Sequence, residues 1–338
     1  DQGPSNWNKR ILQLTPVARK VVLAVSGGAD SMAMLHACRH HPASFIVVAI
    51  DHGLRQEART ECAFVVGQAE KLGMNAFMLT PDMAIRANMN EARKTRLQLL
   101  LQAARSHHAD EIWLAHQQDD QAETVAMRLK RQSHWRGLAG LMDASWLEEK
   151  LIKRPLLHAS RAQLRQAAAD IGFVDDPSNK DHRFERVRVR ALLAKEPSLR
   201  DAMLLLARIA KHWRCQHAQY IEQSFNSGLI MVGPGHAFVA NECWFCLGLE
   251  ARSWLADLLR MYFRPGQWPR GGDKSRALAS IKAGERLTLG FCIYEMKKNG
   301  LHVSRETGRV PPPATILPQP NDERNLLDLF QKGHSSPI

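Results

Sequence analysis

The hexapeptide Ser26-Gly27-Gly28-Ala29-Asp30-Ser31 holds the residue types needed to grip a chain of phosphates. It follows the apolar run Val21-Val22-Leu23-Ala24-Val25 directly. A buried strand that breaks into Ser-Gly-Gly and then opens a helix lets the backbone turn sharply against an anion, because Gly27 and Gly28 carry no Cβ. The helix start supplies unpaired N–H groups and the positive end of its dipole. Ser26 and Ser31 add hydroxyl donors, and Asp30 adds a carboxylate able to hold Mg²⁺. No Lys follows the glycines, so this is neither G-x-x-x-x-G-K-[ST] nor G-x-G-x-x-G.

Two further stations carry polar groups. Asp51-His52-Gly53-Leu54-Arg55 follows the run Phe45–Ile50, and Ala115-His116 leads into Asp119-Asp120-Gln121-Ala122-Glu123-Thr124. Asp119 and Asp120 suit metal binding, general-base work or capping of the helix they open, and spacing does not divide these roles between them. His116 suits hydrogen bonding at a strand end.

The elements that must position these groups alternate. Strands are expected at 21–25, 45–50, 74–79 and 111–115, and helices at 31–40, 57–72, 90–107 and 119–131. Such alternation predicts an α/β fold with a Rossmann-like parallel sheet, whose ligands bind beyond the carboxyl ends of the strands. All three polar stations follow strand ends. Ser160 should cap a helix near 161–171, a helix over 199–224 should lead to a second domain, and 229 onward mixes short strands with helices near 250–263 and 274–283. Three parts are expected: residues 1–205, a smaller mixed helical and strand domain over 206–310, and a proline-rich tail over 311–338 that leaves the compact body.

The net charge of +12 points to a polyanionic partner. The charge clusters at Arg128–Arg136, at Arg183–Arg190, and over 263–309, which hold ten Lys and Arg against four Asp and Glu. No apolar stretch is long enough to span a bilayer and no basic-then-apolar leader opens the chain, so a cytoplasmic enzyme is the expectation. The six cysteines do not form a disulfide framework at this length. Cys243-Trp244-Phe245-Cys246 reads as a core strand, and Trp113, Trp213 and Trp254 as core or interface filler.

Taken together, the motifs resemble the tRNA(Ile)-lysidine synthase family of N-type ATP pyrophosphatases, with an adenine nucleotide alpha hydrolase-like fold. Ser26–Ser31 is similar to its S-G-G-x-D-S, Asp51–Arg55 to its D-H-G-L-R, and Ala115–Thr124 to its A-H-x-x-D-D-Q-A-E-T. Arg136–Leu141, Arg154–Leu157 and Asp176–Asn179 resemble its R-G-L-A-G-M, R-P-L-L and D-P-S-N stations. The sequence departs from the family at Leu97, where an aromatic is usual, at Gln117, often His, at Gln132–His134, and at Val187, usually Asn.

The resemblance implies a ligase that forms a C–N bond. ATP adenylates the C2 oxygen of the wobble cytidine in a CAU-anticodon tRNA(Ile), and the amine of free L-lysine displaces AMP. It further implies catalytic roles for Asp30, Asp119, Asp120 and His116, and ATP contacts from Ser26, Gly27, Gly28, Ala29, Asp30, Ser31, Asp51, His52, Arg96 and Arg188. Asp30 and Asp120 would hold Mg²⁺. The alternatives are a tRNA 2-thiolase on the same fold and a non-catalytic tRNA- or nucleotide-binding protein. The first needs paired cysteines in the nucleotide domain, which Cys38 and Cys62 do not supply in sequence.

Overall fold

Buried β-branched runs form the centre of the first of two compact units, which comprises residues 1–131 and 140–207. The computed structural model describes residues 6–13, 20–51, 57–81, 89–175, 181–263, 278–289, 292–306, 319–320 and 325–327. Helix α1 (Asn6–Gln13) precedes β1 (Lys20–Ala24), α2 (Ala29–Cys38), β2 (Ser44–Ile50), α3 (Glu57–Lys71), β3 (Asn75–Leu79), α4 (Met89–Ser106), β4 (Glu111–Leu114) and α5 (Gln118–Lys130). Each expected strand and helix of this half is present, with ends shifted by a residue or two. A short helix α6 (Trp135–Leu138) is followed by β5 (Ala144–Leu147), β6 (Lys150–Lys153), α7 (Arg161–Ala168), α8 (Glu185–Lys195) and the long α9 (Pro197–Asn226).

In the first unit the strands run in the order β5-β6-β4-β1-β2-β3. β6, β4, β1, β2 and β3 pair in parallel, and β5 joins β6 antiparallel. Alternate residues face opposite sides of a strand. Val21, Leu23 and Val47 therefore pack with Met32 and Leu35 of α2 on one face, while Val22, Ile46 and Val48 pack with Leu97, Leu100 and Leu101 of α4 on the other. Burial on both faces is what makes these strands continuous apolar runs. Strand order reverses between β1 and β4, the position where open parallel sheets leave a crevice.

The second unit comprises residues 132–139 and 208–338, so the segment Gln132–Ala139 groups with the later part of the chain and the division falls inside α9. It contains β7 (Ile230–Gly233), β8 (His236–Ala240), α10 (Asn241–Cys246), α11 (Leu249–Phe263), β9 (Arg286–Leu289), β10 (Cys292–Lys297) and β11 (Gly300–Arg305). These strands form an antiparallel sheet in the order β7-β8-β11-β10-β9. Its core gathers Trp244, Trp254, Leu255, Leu258 and Tyr294. Arg136 pairs with buried Asp257, which Arg260 also engages at 2.9 Å.

Several expectations are refined or changed. Cys243–Cys246 is helix α10, not a core strand: Cys243 and Trp244 are buried while Phe245 and Cys246 are exposed, a helical pattern. Trp113 and Trp254 are core residues, but Trp213 is 54% exposed. Of the helix expected at 274–283, residues 278–283 are described and only 278–279 are helical. Most of the expected proline-rich tail lies outside the described residues, but Leu326 and Leu327 are buried in the core of the second unit and do not leave the compact body. No helix among the described residues is long and apolar enough to cross a membrane.

Gly140 is a point where the sequence has no freedom. Its φ is +68°, and a Cβ there would lie 2.5 Å from the Gln121 Oε1. That oxygen accepts a hydrogen bond from the Leu141 N–H at 2.5 Å, and the Gly140 carbonyl accepts one from Arg128 at 2.9 Å. Gly140→Ala combines an unfavourable backbone with displacement of a buried amide, and should cost about 2–4 kcal/mol. Urea unfolding reads this directly. A midpoint unchanged from wild type would mean the turn relaxes freely.

Candidate functional site

The turn after β1 is built by its own side chains. Gly27 adopts φ +83°, and its carbonyl accepts a hydrogen bond from the Val174 N–H at 2.9 Å. The Ser31 hydroxyl donates to the Gly28 carbonyl at 2.9 Å and accepts from the Ser26 N–H at 3.2 Å. Gly28 is the N-cap of α2 and provides no side-chain cap. The first N–H groups of α2 are thus left to meet an anion.

The turn after β4 is stitched from both sides. Gln117 caps α5: its side chain accepts from the Asp119 N–H at 2.5 Å, and its own N–H donates to Asp120 Oδ2 at 3.0 Å. The Gln118 N–H donates to the Ala159 carbonyl at 2.8 Å, and Asp119 Oδ2 accepts from the Arg161 N–H at 2.9 Å. Asp119 therefore holds the start of helix α7, while Asp120 closes the cap of its own helix. Arg200 approaches Asp119 at 3.5 Å.

One turn further along α5, Glu123 has only 1% of its side chain exposed and meets three guanidinium groups. Arg161 of α7 donates to it at 3.0 Å, and Arg186 and Arg190 of α8 each donate through Nε at 2.7 Å. Arg186 also donates to Asp120 Oδ1 at 3.0 Å, and Arg161 lies 3.8 Å from the same oxygen. Burial raises the Glu123 pKa, but the three arginines outweigh it and hold the carboxyl below the usual glutamate range.

Asp30 is different. Its Oδ1 is buried with no hydrogen-bond partner. Burial, then the nearby Asp120 charge, pushes its pKa up to about 6, with Arg161 and Arg190 pulling the other way. Asp120 is also raised, chiefly by burial, although Arg186 opposes this. Two neighbouring carboxylates of raised proton affinity, one with an unmet oxygen, are suited to a shared cation. Among the described residues no three His, Cys, Asp or Glu side chains group into a metal site. Mg²⁺ does not need them: it takes one or two carboxylates, completing its shell with water and substrate phosphates. Asp30 and Asp120 fit that donor set.

Positive charge surrounds the carboxylates. Burial, then Arg154, Arg96 and Arg93, drives the His116 pKa well below its usual value, leaving a neutral imidazole whose Nδ1 has no partner. Burial, then Arg93 and Arg186, brings Arg96 down to about 10, and its Nε is likewise without a partner. Arg154 donates to the Met142 carbonyl at 2.7 Å and to Ser145 at 3.0 Å. Guanidinium groups that depress one another favour an anion among them.

Of the residues singled out in the sequence, Ser26–Ser31, Asp30, His116, Asp119, Asp120 and Arg96 belong to one set of electrostatically coupled groups or to the loop that carries them. Asp51 is buried at the exit of β2, its N–H bonded to Leu79 at 2.9 Å. His52, Arg55 and Asp176–Asn179 lie outside the described residues. Arg188 turns to the His182 and Arg183 carbonyls, at 2.7 and 2.8 Å, and not to the carboxylates. Glu123 and Arg161 were given no role of their own from sequence, and Arg186 and Arg190 were read only as part of the basic cluster pointing to a polyanion, whereas both donate to Glu123. The signal was present: 186 and 190 are spaced i, i+4, as are the neighbours on one helix face, and 188 falls on the other.

Comparison with known proteins bears on this arrangement. The sequence model of the PP-loop domain family matches residues 5–197. The tRNA(Ile)-lysidine synthase of Novosphingobium aromaticivorans is 36% identical over 307 residues, 85% of this chain and 89% of that protein. That of Brucella ovis is 32% identical over 321 residues, 89% of this chain and 71% of its own, and that of Bradyrhizobium diazoefficiens 42% over 214, 57% and 58%. The U34-tRNA thiolase NcsA of Methanococcus maripaludis, solved with its [4Fe-4S] cluster, superposes with a TM-score of 0.51 at 16% identity. It covers 61% of this chain and 79% of its own, a likeness of fold.

The Asp30 environment has a measurable consequence without any ligand. Its folded pKa, about 6, exceeds the ordinary 3.8, so the folded protein binds this proton more tightly than the unfolded chain does. Stability is therefore lost as pH rises from about 4 through 6, and the whole cost stands above that range. Asp30→Asn removes the cost. In chelator the variant should be more stable than wild type at pH 8 by about 1–3 kcal/mol, with the gain gone near pH 4. Equal urea midpoints at pH 8 would contradict a desolvated Asp30.

Proposed function

The chain belongs to the PP-loop domain proteins and, within them, to the tRNA(Ile)-lysidine synthase family, and on that premise we propose how its residues perform the reaction. The enzyme joins lysine to C2 of the wobble cytidine of tRNA(Ile) in two steps. First the C2 oxygen of cytidine bonds to the α-phosphorus of ATP, and the bond to pyrophosphate breaks. Then the lysine ε-amine bonds to C2, AMP leaves with that oxygen, and the amine gives up a proton.

The observation that carries the assignment of roles is the unmet, buried oxygen of Asp30 at the start of α2, facing the field of Asp120. The loop Ser26–Ser31 holds the phosphates through backbone N–H groups and the two hydroxyls. Asp30 and Asp120 hold Mg²⁺, which when bound supplies charge neutralisation on the departing pyrophosphate. Arg93, Arg96 and Arg154 stabilise negative charge that develops at the α-phosphate. Neutral His116 orients a substrate oxygen or amine through its free Nδ1.

Lysine attacks only as a neutral amine, so its proton needs an acceptor. Asp120 is taken by the Gln117 N–H, by Arg186 and by the metal, so this work falls to Asp119, whose Oδ2 accepts from the Arg161 N–H and whose Oδ1 lies 3.5 Å from Arg200. Asp119 also docks α7. Free L-lysine, Mg²⁺ and a cytoplasmic setting are part of this proposal. The thiolase reading has less support. Cys38 and Cys62 are both buried, and burial raises both thiols, Cys62 to about 11, which leaves them poor nucleophiles and poor cluster ligands.

Incubation with ATP, lysine and a CAU-anticodon transcript, read by nucleoside mass spectrometry, should yield lysidine with one AMP and one pyrophosphate released per residue formed. Asp30→Asn and Asp120→Asn should each lower the rate by about 100-fold or more. Wild-type rates in both folded variants would remove the carboxylates from the mechanism.

We also propose that the residues from 206 to 310 hold the body of the tRNA. Lys297, Lys298 and Arg305 are exposed on β10 and β11 and the turn between them. Replacing all three by Gln should weaken tRNA binding and flatten its log–log salt dependence by up to about three units, one per lost phosphate contact. ATP affinity should not change. Filter binding across a salt series with unchanged slope and affinity would take this face out of the interface.

A further inference from the structure

The second unit exposes aromatic rings that its own core does not use. Trp213 of α9 and Phe245 of α10 are each 54% exposed. On α9, His217 and Tyr220 follow Trp213 at i+4 and i+7 and share its helical face. The His217 Nδ1 donates to the Trp213 carbonyl at 2.6 Å, which leaves Nε2 as the nitrogen free to accept. Gln216, His217 and Tyr220 line a pocket of about 210 Å³, whose other wall is Cys246 and Leu247. The Arg252 guanidinium lies 5.1 Å over the Phe245 ring.

Behind the pocket the rings continue inward. Trp135 lies 5.4 Å from His217 and 6.1 Å, edge-on, from Trp254, which is fully buried. The pocket wall is therefore anchored to the core, and a ligand that stacks there has little side-chain order to impose. Between Arg208 and Ile221 the exposed or half-buried charges of α9 are Arg208, Lys211 and two histidines, Arg214 being buried over the Trp254 ring, and the flanking acids are Glu222 on α9 and Glu242 on α10. A second copy of the chain would bring these cations against their own kind, whereas a polyanion would not.

We propose that this groove between α9 and α10 binds an unpaired nucleotide of the tRNA, its base stacked on the exposed ring of Trp213 or Phe245. The inference rests on the tRNA-modifying activity given above and adds a base-binding subsite to it. The residues match the two needs of single-stranded RNA recognition. Aromatic faces take the base, which duplex RNA keeps within its own stack. Gln216 and His217 Nε2 offer donors and acceptors to the base edge, and exposed Arg208 offers charge to a flanking phosphate, while Arg252 is held by the Trp244, Phe245, Leu247 and Ala279 carbonyls and braces the Phe245 ring.

Stacking and phosphate contacts respond differently to salt. For the full chain, the affinity for a CAU-anticodon tRNA transcript is measured from low to high salt by filter binding. Trp213→Ala should weaken it by about 5- to 100-fold at every salt concentration, with the log–log slope unchanged, and Phe245→Ala should weaken it similarly. Trp213→Phe should restore most of the loss. Both rings are half exposed, so the alanine variants keep the fold, which the urea midpoint checks. Undiminished affinity in both alanine variants would overturn the proposal while leaving the tRNA reading intact. So would dimerisation of wild type by sedimentation that Trp213→Ala abolishes at unchanged tRNA affinity. Failure of wild type itself to bind the transcript would contradict the underlying reading and this subsite with it.

Discussion

The first unit depends on one buried carboxylate. Glu123 meets Arg161, Arg186 and Arg190, contributed by helices α7 and α8, at 2.7–3.0 Å. A buried ion network of this kind is no bargain against a well-packed apolar core, but breaking it leaves cations without a partner. Here it also sets geometry. Arg186 and Arg161 reach past Glu123 to Asp120, and Arg161 places its N–H on Asp119. The positions of both acids at the end of β4 thus follow from where three arginines find their counter-charge.

The proposed chemistry uses what this network leaves over. Asp30 keeps a buried oxygen without a hydrogen-bond partner, and burial, then the Asp120 charge, pushes its pKa up to about 6. An acid so placed costs stability in the absence of ligand and is repaid only when a cation arrives. The same logic holds on the cationic side, where Arg96 and His116 keep buried nitrogens unmet. Unsatisfied groups of both signs in one site are what a charged, metal-bound nucleotide would complete. In a lysidine synthase, which must hold ATP and tRNA together, such groups belong beyond the ends of the parallel strands.

Much of this was legible in the sequence because the central strands are buried on both faces. Val21–Val25 and Phe45–Ile50 carry almost no polar residue, and the polar stations begin where they stop. The β5–β6 hairpin was not legible. Leu147 pairs with Lys150, and the two-residue loop between them is Glu148-Glu149, with Glu148 at φ +52° and neither Gly nor Asn to announce a turn. Helix α8 was hidden for another reason: its inward face carries Arg186 and Arg190, so no apolar stripe marks it. Arg188 then looked as available as its neighbours, although the helix turns it away. Trp213 was read as core or interface filler because an aromatic at helical spacing usually is, and its exposure removes only the core reading.

Glu123 is the group that assembles the acids around Asp30. The most direct test is the unfolding free energy of Glu123→Gln at neutral pH, measured in urea against wild type. Loss of the buried charge while three half-buried guanidinium groups remain should lower stability by about 2–4 kcal/mol. A variant within about 0.5 kcal/mol of wild type, the range of ordinary surface substitutions, would show that the arginines hold their places without it and would contradict the account.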